Sequence, residues 1–379
     1  MMGIASVSTI WAIYLNSFLN NESYVGFIVS IFSIASFMTY FYSVPILEKG
    51  NKTILYLASS IILVFAYILF SFLPFFPVVF LLGLLLVIVL AVNITSFGII
   101  VRDSSRDNSV SKNEGLLYTA LNTAWLIGPL LAGFIASRFG ERSVFILAAI
   151  LVGCSLIIFK RFSIKDSRTE KKADTNPIKI AKEFFSKKER RMAYILGTGV
   201  NFWFSLIYIY MPMHIIQSGI NESYVSYFLF AVALPLIIFE YHFGKLAGKQ
   251  GFKKVFFKGY SILFISALVA FFLSNTFLVM GILVLSSIGV AMVESTTEAY
   301  FFDVVNKSEQ DKFYGPYNTA MDIGHLFATF LSAVILLFLP FKFIFLLFSL
   351  GMLIMIFVSF RIRNVIESRK GKNTHKINK

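Results

Sequence analysis

The pentapeptide Asn21-Glu22-Ser23-Tyr24-Val25 returns 200 residues later as Asn221-Glu222-Ser223-Tyr224-Val225. Other pairs fall into step around it. Gly50 corresponds to Gly251, and Asn93-Ile94-Thr95 to Glu294-Ser295-Thr296, both offset by 201. Asn122-Thr123-Ala124 and Ile127-Gly128 return as Asn318-Thr319-Ala320 and Ile323-Gly324, offset by 196. An ordered series whose offset drifts only between apolar runs marks a duplicated unit.

The nature of that unit follows from composition. Of 379 residues, 57% are hydrophobic and 14% charged, and Phe alone accounts for 44. Soluble domains are about a quarter charged. A chain this apolar cannot hide its surface in an aqueous core, so soluble enzymes and disordered proteins are both excluded. Twelve continuous apolar runs lie at 4–19, 25–44, 53–73, 78–101, 116–136, 144–159, 192–216, 225–243, 255–273, 277–302, 317–339 and 343–360. A run of about 20 apolar residues crosses a bilayer as a helix, and only helices and closed barrels satisfy the backbone there. Barrels alternate in short segments. The expected fold is therefore an all-α membrane protein with twelve transmembrane helices in two six-helix pseudo-repeats. Its parts are an N-terminal bundle (1–159), a basic cytoplasmic linker (160–191), a C-terminal bundle (192–360) and a basic cytoplasmic tail (361–379). Six is an even number, so both copies share one orientation. Within the linker, 178–185 reads as a short amphipathic helix at the membrane surface.

The net charge of +14 is a topology signal. With the N-terminus inside, all 34 Lys and Arg residues except Arg138, Arg142 and Lys342 face inward. Basic charge distributed in this way does not read as nucleic-acid binding. It places a multi-pass protein in the cell (inner, cytoplasmic) membrane, both termini cytoplasmic. By the repeat, the partner of the seventh span would begin about eight residues before Met1. The first helix is therefore short at its inner end, and the native start is expected upstream of Met1.

Twelve spans as six plus six, a basic central loop and the internal repeat resemble the major facilitator superfamily. Gly244-Lys245-Leu246-Ala247-Gly248-Lys249-Gln250-Gly251-Phe252-Lys253-Lys254 is similar to that family's cytoplasmic loop signature. There Gly244 and Gly251 would serve the turn and Lys253 the inner leaflet. Gly248 stands where the family usually has Asp, and the first-half loop, Pro45 to Lys52, departs further. Gly128-Pro129-Leu130-Leu131-Ala132-Gly133 resembles the family's antiporter motif, most like drug/proton antiporters, with Gly115 near an earlier motif position and Ala124 replacing a glycine. The resemblance implies that Gly128, Pro129 and Gly133 form a gating element. Close helix packing through small residues reads equally well.

Ionisable residues within the spans are lopsided. The first six spans hold none. The second six hold His214, Glu240, His242, Lys258, Glu294, Glu298, Asp322 and His325. A charge at the bilayer centre costs roughly 2.5–3.5 kcal/mol on insertion scales, so such residues face a cavity or a partner. Glu294 lies about 9 Å past the middle of its span by helical rise. Asp322 and His325, three apart, share a helix face. Glu294, Asp322 and His325 are the proton-coupling candidates. Glu240, His242 and Lys258 lie near inner span ends, where snorkelling explains them better. The resemblance implies that spans one, four, seven and ten line a central cavity. Trp11, Asn16, Asn93, Thr95, Asn201, Trp203 and His214 are its polar and aromatic candidates, each equally readable as packing.

No phosphate-binding glycine loop, dinucleotide fingerprint or metalloprotease His pair occurs. The lone Cys154 excludes a disulfide framework and a cysteine metal cluster. The expectation is no enzyme, no cofactor and no metal. It is a monomeric secondary transporter with the bilayer, a small molecule and protons as its partners. Export of a hydrophobic or amphipathic molecule leads, from the motif and the lack of midplane cations. A sugar or another neutral solute is the second substrate class. A non-transporting sensor or a lipid scramblase is the alternative of another kind.

Overall fold

The computed structural model describes the backbone of residues 1–49, 51–104, 110–161, 176–306 and 309–363. Gly50, linker residues 162–175 and the tail from 364 onward lie outside the described residues. What is described is helical, with no strand.

The first half carries α1 (Met2–Leu19), α2 (Glu22–Lys49), α3 (Lys52–Phe72), α4 (Phe76–Ser104), α5 (Val110–Phe139) and α6 (Arg142–Arg161). A short helix, α7 (Pro177–Ser186), follows in the linker. The seventh span is composite: α8 (Lys188–Ser205), a π-helical turn (Leu206–Tyr210) and α9 (Met211–Gln217). Then come α10 (Ser223–Gln250), α11 (Phe252–Phe272) and α12 (Thr276–Val304). The eleventh span breaks at Thr319 into α13 (Gln310–Asn318) and α14 (Ala320–Phe338), and α15 (Lys342–Arg361) ends the series. Together these make twelve helical stretches long and apolar enough to cross a membrane.

The repeated pentapeptide is a helix start. Asn21 Oδ1 accepts from the Ser23 N–H at 2.9 Å, and Asn221 Oδ1 from the Ser223 N–H at 2.9 Å. An Asn cap satisfies one of the donors a helix leaves open at its first turn. Asn51 and Asn275 cap α3 and α12 in the same manner. Inside the spans, hydroxyls return to their own helix: Thr9, Ser30 and Ser33 each donate to the carbonyl four residues back. That leaves no hydroxyl open to lipid at these positions.

Contacts gather the chain into two compact units. One is Met1–Pro177 with Tyr208–Phe230, and the other is Ile178–Ile207 with Ala231–Lys379. In the first, α1 packs on α5 and α6, and α3 on α4 and α6. In the second, α8 packs on α14 and α15, and α11 on α12 and α15. The same pairing scheme occurs twice, which is what the sequence repeat requires.

The close approaches repeat as well. A Cβ on Gly128 would come within 2.7 Å of Ala5 Cβ on α1, and one on Gly324 within 2.6 Å of the Thr198 carbonyl on α8. Glycine is required at both, because it lets the helix backbones meet.

Two expectations need correction. Gly244 and Gly248 do not form a loop. They lie within α10, which runs on to Gln250. Only Gly251, at φ +94°, makes the turn into α11. The amphipathic helix of the linker does form, but its Phe184 is completely buried inside the second unit. Phe184 contacts the rings of Tyr194, Phe301 and Phe313. Arg190, 2% exposed, holds that helix end by donating to the Phe184 carbonyl at 3.0 Å and the Glu183 carbonyl at 2.5 Å, with its guanidinium over the Phe313 ring. Lys312 reaches Glu183 at 2.6 Å, and that hydrogen bond holds the Glu183 carboxyl below its ordinary range.

Candidate functional site

The acidic groups of the spans, Glu240, Glu294, Glu298 and Asp322, all lie in the second unit. Glu240 on α10 and Glu294 on α12 bring their carboxyls close enough to interact electrostatically. Two like charges held this close in a low-dielectric surround repel each other. Glu294 Oε2 is buried with no hydrogen-bonding partner. One turn along α12, Glu298 Oε1 accepts from the Tyr314 hydroxyl at 2.6 Å. Glu240, Glu294 and Glu298 thus form an acidic track ending on α13. Sequence reading placed Glu294 among the candidates and assigned Glu240 to the membrane surface. Position near a span end hid the fact that Glu240 has a carboxyl opposite it.

The second candidate pair is arranged differently from expectation. His325 Nδ1 lies 2.8 Å from Ser205 Oγ. Ser205 is the last residue of α8 before the π-helical turn. Asp322, 5% exposed, lies on α14 near Tyr194, whose hydroxyl is 3.1 Å from Thr319 Oγ1 at the break of the eleventh span. The π turn and Ser205 carried no sequence signal: an apolar run reads as a regular helix whatever its hydrogen-bond register. Such single π turns are frequent at functional positions.

The cavity candidates divide by what their polar atoms already do. Asn93 Nδ2 donates to Ser59 Oγ at 2.9 Å and Ser60 Oγ at 2.7 Å, tying α4 to α3. Thr95 Oγ1 donates to the Ala91 carbonyl and Asn201 Nδ2 to the Gly197 carbonyl. Trp203 is completely buried and stands edge-on to Phe348. Trp11 sits among Tyr14, Phe32, Phe70 and Phe145 in the first unit. Asn16 Oδ1 is buried without a hydrogen-bonding partner. His214 lies on α9, in the first unit.

The motif residues also have places. Ser6 Oγ donates to the Gly128 carbonyl at 3.1 Å, and Pro129 lies inside an unbroken α5. A Cβ on Gly133 would strike the Ser226 side chain. Lys253 Nζ donates to the Phe360 carbonyl at 2.6 Å, capping the end of α15. Among the described residues, no three His, Cys, Asp or Glu side chains gather as a metal site requires.

No curated protein matches the chain. Among solved structures, the nucleoside transporter NupG is similar at 13% identity, with 96% of each chain covered and a TM-score of 0.74. A POT family transporter in complex with 5-aminolevulinic acid is similar at 12% identity, over 94% of this chain and 92% of that one, with a TM-score of 0.79. At such identities these likenesses speak for the fold. The family profile described as Major Facilitator Superfamily matches residues 1–234 and, a second time, 193–378. The chain belongs to the Major Facilitator Superfamily, a multi-pass membrane protein of a transporter family built twice over from one unit.

Proposed function

We propose that the protein is a secondary transporter working by alternating access, coupled to protons, and that it exports small hydrophobic or amphipathic molecules. The observation that carries proton coupling is the Glu240–Glu294 pair. Two carboxyls held side by side are the group such a path would use, and Glu294 Oε2 is buried with no hydrogen-bonding partner. Glu298 and the Tyr314 hydroxyl continue the track toward the span end. Proton exchange along it would change the charge of the C-terminal half, and an alternating-access cycle uses such a change to favour one orientation.

Export is supported by the Gly128-Pro129 motif and by spans that carry acidic groups at depth but no lysine or arginine near the midplane. An anionic substrate would call for a buried cation. Asn16, with its open Oδ1, is the substrate-facing candidate favoured among the seven. A cell-membrane location with both termini cytoplasmic is supported by the distribution of Lys and Arg.

Reconstitution into vesicles with an imposed pH gradient tests this reading. Lipophilic amines and neutral amphiphiles would be offered as substrates. Flux of at least one that collapses with the gradient supports it. Flux indifferent to the gradient removes the proton, and binding without flux points to a sensor.

A further inference from the structure

We propose that the ends of α11 and α15 where Lys254 and Arg361 lie form a binding site for an anionic phospholipid of the cytoplasmic leaflet. The leaflet rests on the orientation proposed above; the site itself does not. α11 begins at Phe252 and carries Lys254 and Lys258 one turn apart, both exposed. Lys258 is six residues into an apolar span, about 9 Å along its axis. Side chains on a helix tilt toward its N-terminus, so Lys258 leans back toward the membrane surface and toward Lys254.

The neighbouring helix completes the site. The Phe360 ring lies 5.1 Å from that of Phe257, and the Phe360 carbonyl accepts from Lys253 Nζ. Arg361, exposed, is the next residue of α15. Three exposed cations therefore border the seam between two packed helices. Neither α11 nor α15 contains an Asp or Glu to neutralise them. Below the cations, Phe257, Phe357 and Phe360 are 39%, 61% and 51% exposed, a platform suited to an acyl chain. Cations at headgroup depth above an aromatic surface match the two ends of one lipid, and the charge selects an anionic phosphate over a zwitterionic headgroup.

The test uses the full chain in bilayers of phosphatidylcholine doped with phosphatidylglycerol, with the lipids that remain bound read by native mass spectrometry. Wild type is expected to retain phosphatidylglycerol in excess over its bulk share. Each neutralised cation among Lys254→Gln, Lys258→Gln and Arg361→Gln should lower that preference about fivefold. Lys258→Arg should keep it, and Lys342→Gln, which changes a lysine beside Phe271 and Phe343, should leave it unchanged. A triple variant with undiminished preference overturns the site. So does an equal loss in Lys342→Gln, which would mean that overall charge alone is read. If the triple variant does not fold, Lys258→Gln against Lys258→Arg decides by the same readout. Transport plays no part in the measurement, so loss of the transporter reading would leave this result standing.

Discussion

The Glu240 carboxyl on α10 lies beside that of Glu294 on α12. With both ionised, two like charges would face each other in a low-dielectric surround, so the proposed proton path runs through this pair. Glu294→Gln keeps the shape but cannot take up or release a proton. It is expected to lower pH-driven flux roughly tenfold or more, about 1.4 kcal/mol of coupling. Glu240→Gln should act in the same direction. Vesicle flux measured with and without a pH gradient checks both, and unchanged gradient dependence in Glu294→Gln would take the pair out of the proton path.

Ser205 ties His325 to the start of the π-helical turn. Ser205→Ala removes the oxygen and leaves a part-buried imidazole nitrogen without it, a cost of about 1 kcal/mol. A second change, His325→Phe, removes the other partner. The two losses should not add, leaving a coupling of about 1 kcal/mol in a double-mutant cycle read by thermal unfolding in detergent. Additive losses would show that the contact contributes nothing of its own.

Much of the architecture was legible because membrane helices obey a severe rule: the backbone must be satisfied within the span, so each apolar run has one form. The Asn21 and Asn221 caps were legible as a repeat, and their bonds to Ser23 and Ser223 explain why the repeat begins there. The candidate site was legible only in part. Glu294 stands out because a carboxyl at depth is costly, but its partner comes from a distant segment, and nothing in the chain order pairs residue 240 with 294. Gly244 and Gly248 misled because glycine suits both a turn and the interior of a helix, and both lie within α10; only the positive φ of Gly251 marks the turn.

The glycines of the two halves make a graded test. Gly324→Ala would press a methyl into the Thr198 backbone carbonyl and the Phe202 backbone nitrogen, at 2.6 and 2.9 Å. Backbone atoms cannot give way cheaply, so a loss of about 1–3 kcal/mol is expected. Gly128→Ala meets the Ala5 methyl at 2.7 Å and the Ser6 backbone at 3.2 Å, with a comparable loss. Gly244→Ala meets nothing within 4 Å, and alanine favours the helix by about 1 kcal/mol, so stability should hold or rise. Thermal unfolding of the three variants should rank Gly244→Ala above wild type or level with it and the other two below. Equal behaviour of all three would contradict the packing.

Glu141 lies between α5 and α6, outside the spans, and its carboxyl is pushed up to about 7 from an ordinary 4.5. Burial is the main cause; the Glu222 charge adds to it, and Arg142 opposes it. The folded protein therefore holds a proton here that the unfolded chain has released between those two values. Stability contributed by that proton is full below about pH 4.5 and fades as pH rises through 7. The group is partly exposed, so solvent screening reduces the effect to about 1 kcal/mol. Wild type should unfold at a lower temperature at pH 8 than at pH 5. Glu141→Gln, neutral throughout, should show a flatter dependence over that window. Glu222→Gln should keep most of the wild-type slope, because desolvation outweighs the Glu222 charge as the cause. Identical slopes in wild type and Glu141→Gln would place the titrating group elsewhere.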